Sequence, residues 1–206
     1  MSLFMFLLKE CLLKPKTFFT HQHDNPGMIK MPWVILPVFT FILFAAVHWI
    51  SIHYSLNKII LNFDVFFAIH IDHIVFAIFS LLFIWFKIWI PLRLLSPVGG
   101  ASWRIAAWCS CPYIFIFFVM LIVYAIYVPF IADLPNYPAQ PSPAIISTQF
   151  GTTFFKVSRI LADLWCLFTL YIAITIFAPS KRNLVMIGAI GISVLPTIAS
   201  FIGINR

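Results

Sequence analysis

The chain is 206 residues long, 63% hydrophobic and only 9% charged, whereas an average soluble domain is about 45–50% apolar and about 25% charged. No water-soluble fold of this length hides that much apolar surface, so the composition excludes an ordinary soluble domain and points to lipid as the solvent. The net charge of +7 comes from thirteen Lys and Arg scattered between hydrophobic runs, a pattern of membrane topology that excludes nucleic acid as a partner.

Residues 1–16 place Phe4, Leu7, Leu8, Cys11 and Leu12 at helical spacing, with Lys9, Glu10, Lys14 and Lys16 largely elsewhere around the wheel. The segment is too short and too charged to span, so an amphipathic helix lying in the membrane surface is expected. The run before Lys9 has no basic leader and no small-residue cleavage site after it, so no cleaved signal peptide is expected. Pro15 should end the helix, and 17–30, with His21 and His23, reads as a polar solvated linker. Residues 1–30 thus form a cytoplasmic helix and linker, and 31–206 a membrane domain.

The first span is expected at 32–50, about 28 Å long, with Trp33 and Trp49 as interfacial anchors. Residues 51–62 connect it to a second span at about 71–92, because 63–90 is too short for two spans of about 17 residues each and a turn. The joint 91–104 carries Pro91, Pro97, Gly99, Gly100, Arg93 and Arg104, and turns the chain back on itself. Ser102 is the expected N-cap of a third span at about 103–128, with Trp103 and Trp108 at one interface and Tyr124 and Tyr127 at the other. Five prolines within 129–150 predict an extended loop. A fourth span at about 157–177, a tight basic turn at 178–183 and a fifth span at about 184–202 complete the chain. In the last span Gly188, Ala189, Gly191 and Ser193 let a neighbouring helix approach closely. The expected fold class is an all-α integral membrane protein, a five-transmembrane-helix bundle with an N-terminal amphipathic interfacial helix.

Nine Lys and Arg fall on the N-terminal side (Lys9, Lys14, Lys16, Lys30, Lys87, Arg93, Arg104, Lys181, Arg182) and four on the other (Lys58, Lys156, Arg159, Arg206). The positive-inside rule then puts the N-terminus and the joint in the cytoplasm and the C-terminus in the periplasm or lumen, in the inner membrane of a bacterium.

The run Leu12-Leu13-Lys14-Pro15-Lys16-Thr17-Phe18-Phe19, the run Gly99-Gly100-Ala101-Ser102-Trp103-Arg104 between the second and third spans, Pro112 in the third span and the five-helix count together resemble the Yip family. These are Ypt/Rab-interacting polytopic membrane proteins, and the likeness is to their short bacterial members and covers nearly the whole chain. The resemblance implies a five-span, non-enzymatic membrane adaptor or organiser acting through protein or lipid partners. Eukaryotic members are linked to Rab GTPases and membrane shaping and carry a long cytosolic N-terminal region, whereas here about thirty residues precede the first span. No catalytic residue carries over from the family.

Polar groups in the spans are the remaining candidates for chemistry, because charge within lipid is costly. His48, His53, His70, His73, Asp64, Asp72, Asp133, Arg159 and Asp163 gather at or below the far interface. One reading is structural: Arg159 and Asp163 are four apart on one helix face and pair, or Asp72 pairs with Arg159, locking the second helix against the fourth. A second is a metal or proton site, with His70 and His73 three apart and His48 converging on them, or a small transporter using Asp72 and Asp163. An enzyme is not expected, since HExxH, GxSxG and paired carboxylates on one cytosolic element are missing. Cys11, Cys109, Cys111 and Cys166 show no CxxC spacing and read as small apolar residues. On the cytoplasmic side Lys14, Lys16, Arg93, Arg104, Lys181 and Arg182 offer a basic surface to anionic lipid or a partner protein, or serve orientation alone. No cofactor is expected.

Overall fold

The structure, a computed structural model, describes residues 3–25, 82–132 and 149–203. The described residues form helices and the turns between them, with no strand. Helix α1 spans Leu3–Leu13, α2 Pro15–Asp24, α3 the stretch 82–95, α4 Ser102–Cys109, α5 Cys111–Ala132, α6 Gln149–Phe177 and α7 Arg182–Gly203. The expected first span with Trp33 and Trp49, residues 71–81 of the second, 133–148 of the loop, and His48, His53, His70, His73, Asp64, Asp72 and Asp133 lie outside the described residues; the ends of the expected loop 129–150 are helical instead, 129–132 continuing α5 through Pro129 and 149–150 opening α6. The chain divides into two compact units, one of Met1–Pro37, Leu82–Tyr113 and Ile160–Arg206, the other of Val38–Leu81 and Ile114–Arg159.

In the first unit the N-terminal stretch differs from expectation. Pro15 does not close a helix onto a linker; it opens α2, where a missing N–H costs nothing and the fixed φ suits a first turn. Residues 17–24 are therefore helical, because Phe18, Phe19 and Gln22 form a stripe that is buried. The Phe18 ring meets Trp108 at 4.8 Å, and Phe177 is met by Phe19 at 6.5 Å and by His23 at 5.2 Å. Helix α1 turns Leu7, Leu8 and Cys11 inward and leaves Phe6 and Leu13 exposed. Leu7, Leu8 and Cys11 thus pack on protein. Trp108, expected at an interface, is 1% exposed beneath α2.

The joint between α3 and α4 is held by its own polar atoms. The Ser96 hydroxyl donates to the Leu92 carbonyl at 2.5 Å and accepts from the Val98 N–H at 3.4 Å. Gly99 has φ +58°, a left-handed conformation that glycine adopts without a Cβ clash, and it starts a 3-10 turn, Gly99–Ala101. Ser102 does not act as the expected N-cap. It is the first residue of α4, and its hydroxyl donates to the Gly99 carbonyl at 2.7 Å. Trp103 stacks on Trp85 at 4.1 Å, and the Trp85 indole N–H donates to the Trp103 carbonyl at 3.1 Å.

The expected third span is broken in two. Ser110 lies between α4 and α5, its hydroxyl donating back to the Ala106 carbonyl at 2.8 Å. Pro112 then lacks the N–H that would continue the ladder. Even so, Gly99–Met120 and Lys156–Phe177 are each long and apolar enough to cross a membrane. Along α6 the first unit exposes Leu161, Leu164, Phe168 and Tyr171 and buries Ala162, Cys166, Leu170, Ala173 and Ile174. In the second unit α5 exposes Phe115, Phe118, Val119 and Ile122 and buries Met120.

After the 3-10 turn Pro179–Lys181, α7 passes the end of α3 at close range. A Cβ on Gly188 would stand 2.8 Å from Leu95 Cδ1 and 3.2 Å from Pro91 Cβ. The small residue at 188 thus has the packing role its sequence suggested, whereas Gly191 meets nothing within 4 Å. Gly188→Ala should cost less than a larger side chain, since the end of Leu95 can rotate away and only the few tenths of an ångström at the Pro91 ring must be taken up by the helices. Gly188→Val should cost about 1–3 kcal/mol through forced separation of α3 and α7, read as a lowered unfolding midpoint of the purified protein in detergent, with Gly191→Val as the insensitive control.

Candidate functional site: a buried lysine, aspartate and tyrosine

Three helices of the first unit each bring one polar side chain to a common point. On α3, Lys87 lies on the inward stripe with Ile88, Pro91 and Leu92, all buried. On α6, Asp163 lies on the inward face with Ala162, Cys166 and Leu170. Tyr113 stands at the start of α5 between buried Cys111 and Ile114. The side chains of Lys87 and Asp163 are 4% and 8% exposed.

Lys87 Nζ sits 2.7 Å from Asp163 Oδ1, and the Tyr113 hydroxyl donates a short hydrogen bond to the same oxygen. Lys87 Nζ is also 3.5 Å from the Tyr113 hydroxyl. The ammonium lies 5.7 Å from the ring centroid of Phe83 and 5.8 Å from that of Tyr113, within the range where ring quadrupoles attract a cation. Asp163 Oδ2 is buried with no hydrogen-bond partner. The cluster is electrically neutral as a whole, which is what lets two full charges stay away from water.

Asp163, one of the two acids expected to pair with Arg159, is thus paired with Lys87 instead, and Asp72, the other, lies outside the described residues. Lys87 and Asp163 form a buried ion pair, and His23 Nδ1 stands 3.5 Å from Asp24 Oδ1 in a solvent-exposed contact. Arg159 is half-buried and belongs to the second unit. Lys87 also leaves the group of residues that report orientation, because it points into the helices and not toward an aqueous face. One signal for this was available in the sequence: a lysine at 87 shares its helical face with the apolar residues at 83, 88 and 91, so its stem cannot lie in water.

Of the expected basic surface, Lys14, Lys16, Arg93 and Lys181 are exposed and Arg104 and Arg182 are half-buried. The Arg182 guanidinium stands 5.1 Å over the Tyr171 ring. These residues sit on segments gathered at one end of the unit, since α2 packs on Phe177, just before the second turn, and α7 packs on Leu95, just before the first. Among the described residues no group of three or more His, Cys, Asp or Glu is placed to hold a metal ion; the His48, His70 and His73 set lies outside them. Comparison with known families, with curated proteins and with solved structures finds no match to this chain.

Removing one member of a buried pair leaves the other charge uncompensated. Lys87→Met should therefore destabilise the protein by about 3–5 kcal/mol, while Lys87→Met combined with Asp163→Leu should recover most of the loss. Thermal unfolding in one detergent, followed by helical circular dichroism for the two single variants and the double, checks this; a double variant as unstable as the sum of the singles would contradict it.

Proposed function

We propose that this chain is a non-enzymatic integral membrane organiser of the Yip type. It spans the bilayer five times with its N-terminus cytoplasmic and its C-terminus periplasmic, and it acts through anionic lipid headgroups or a partner protein that meet its basic end. The apolar stripes left exposed on α5, α6 and α7 support a lipid environment, because contiguous apolar surface of that extent is unfavourable in water. The motifs around Pro15 and Gly99 support the family, and the gathering of Lys14, Lys16, Arg93, Arg104, Lys181 and Arg182 on segments at one end supports the contact surface.

The observation that carries the reading is the sealed Lys87–Asp163 pair. A transporter needs an intramembrane acid that a proton or ion can reach from water, whereas this one is closed in by a lysine and a tyrosine. The pair works as a fastening between helices, and among the described residues the exposed cations are the charged groups open to a partner. Each Lys or Arg close to an anionic membrane surface contributes about 1 kcal/mol.

Protein reconstituted in nanodiscs of mixed zwitterionic and anionic lipid should retain anionic lipid preferentially when analysed by native mass spectrometry. Replacing Lys14, Lys16, Arg93 and Lys181 together with Gln should lower that retention about tenfold or more, and raised salt should weaken it in the unaltered protein. Equal retention by the two proteins would overturn the basic-end reading. Tags at the two termini reporting from one compartment would overturn the five-span topology.

A further inference from the structure

Arg182 differs from the exposed cations of the basic end in being held against an aromatic ring. Its guanidinium stands 5.1 Å over the Tyr171 ring, and its Nε–H donates to the Asn183 side-chain oxygen at 3.4 Å. Along a continuous helix Arg182 would lie about 16 Å beyond Tyr171, so the contact is made by the reversal of the chain through the 3-10 turn Pro179–Lys181. No carboxylate follows on this hairpin: Asp163 is the last acid of the sequence, and it is taken by Lys87. Among the described residues nothing else accepts from the guanidinium of Arg182, and Lys181 beside it is exposed.

Below Tyr171, α6 carries Phe168, Leu164 and Leu161 on the same face at steps of three and four, all of them exposed. The row from Tyr171 to Leu161 is about 15 Å long and lies within Lys156–Phe177, a stretch long and apolar enough to cross a membrane. Thr175 shares the face on the other side of Tyr171, and its hydroxyl is turned back to donate to the Tyr171 carbonyl at 2.7 Å.

We propose that Arg182 and Tyr171 form the seat of one anionic phospholipid, its phosphate in the guanidinium fork and one acyl chain laid along Phe168, Leu164 and Leu161. This rests on the membrane reading above and narrows its basic contact surface to a single lipid site. A cation directly above an exposed apolar row fits a ligand whose charge and hydrocarbon are joined. An acidic soluble partner could reach Arg182 but not the leucines below it in the span. The planar fork matches two phosphate oxygens, and the ring contact holds the side chain in place, so less freedom is lost when the lipid arrives. The missing carboxylate selects the headgroup: the ammonium of a zwitterionic lipid would find no acid there and would face Arg182 and Lys181, whereas a net negative headgroup meets only cations.

The test uses the full chain in nanodiscs of phosphatidylcholine with a minority of phosphatidylglycerol, released in native mass spectrometry at rising activation. One phosphatidylglycerol should survive activation that strips the other lipids. Arg182→Gln should lower that last retention about tenfold or more with the loosely held lipids unchanged, Arg182→Lys should hold it less well than arginine although the charge is kept, and Phe168→Ser should shorten its retention with Arg182 intact. The variant in which Lys14, Lys16, Arg93 and Lys181 are all Gln should keep it while losing loosely held anionic lipid. If that fourfold variant loses lipid and Arg182→Gln does not, the basic-end reading stands and the seat is overturned. If Arg182→Gln loses the last lipid and the fourfold variant loses none, the seat stands and the broader surface falls. Survival of phosphatidylcholine as readily as phosphatidylglycerol, or equal retention by Arg182→Lys and arginine, would also overturn the seat.

Discussion

A lysine and an aspartate cannot enter an apolar helical core separately, and that constraint fixes the arrangement of the first unit. Each charge alone would lose its hydration without compensation. Together, at 2.7 Å, they are tolerated, and the Tyr113 hydroxyl adds a donor to the carboxylate. The three groups come from α3, α5 and α6, so the ion pair ties helices that are distant in sequence. With Lys87 set, Pro91 and Leu95 follow one and two turns later on the same helix, and these are the residues that Gly188 of α7 meets. The lock in the core and the close contact near the turns are parts of one register.

The end of the unit is closed by aromatic packing in place of charge. Trp108 lies under Phe18, and Phe177 lies against Phe19 and His23, so α2 covers the last turn of α6 and the body of α4. Trp85 and Trp103 perform the same service for the joint, with a stacked pair and an indole hydrogen bond to a backbone carbonyl. Aromatic pairs of this kind add about 0.5–1.5 kcal/mol beyond the area they bury. Of the exposed cations, Lys16 and Arg93 lie within helices α2 and α3, and Lys181 lies in the 3-10 turn before α7.

What the sequence disclosed follows from which signals are local. Helical character, the turn before Arg182, the end of α6 at Phe177 and the close approach at Gly188 all depend on runs of residues or on a single small side chain, and the structure has them within a few residues of expectation. The partner of Asp163 was hidden because it lies 76 positions away, while Arg159 offered a same-face partner one turn distant. The helicity of 17–24 was hidden because polar Thr, His and Gln dilute the stripe that Phe18 and Phe19 begin, and burial of Gln22 has no signature in hydropathy. Ser102 has the composition of a cap, but the preceding 3-10 turn places the Gly99 carbonyl where its hydroxyl donates instead of accepting.

The asymmetry at Asp163 bears on why such a site exists. Both donors converge on Oδ1, and Oδ2 is buried without a partner, a deficit of about 1–3 kcal/mol for a desolvated acceptor. A volume filled for stability alone would hold hydrocarbon here, since apolar replacement of a buried ion pair is often neutral or favourable. The pair supplies selectivity among alignments. Slipping α3 by one residue would swing Lys87 by about 100° around the helix axis, stranding two charges in the core, whereas a purely apolar stripe would accept the slip by repacking. Helices whose outer faces are apolar have few other features to tell one register from the next, and one neutral pair of opposite charges, sealed between α3 and α6, makes that distinction at a single point.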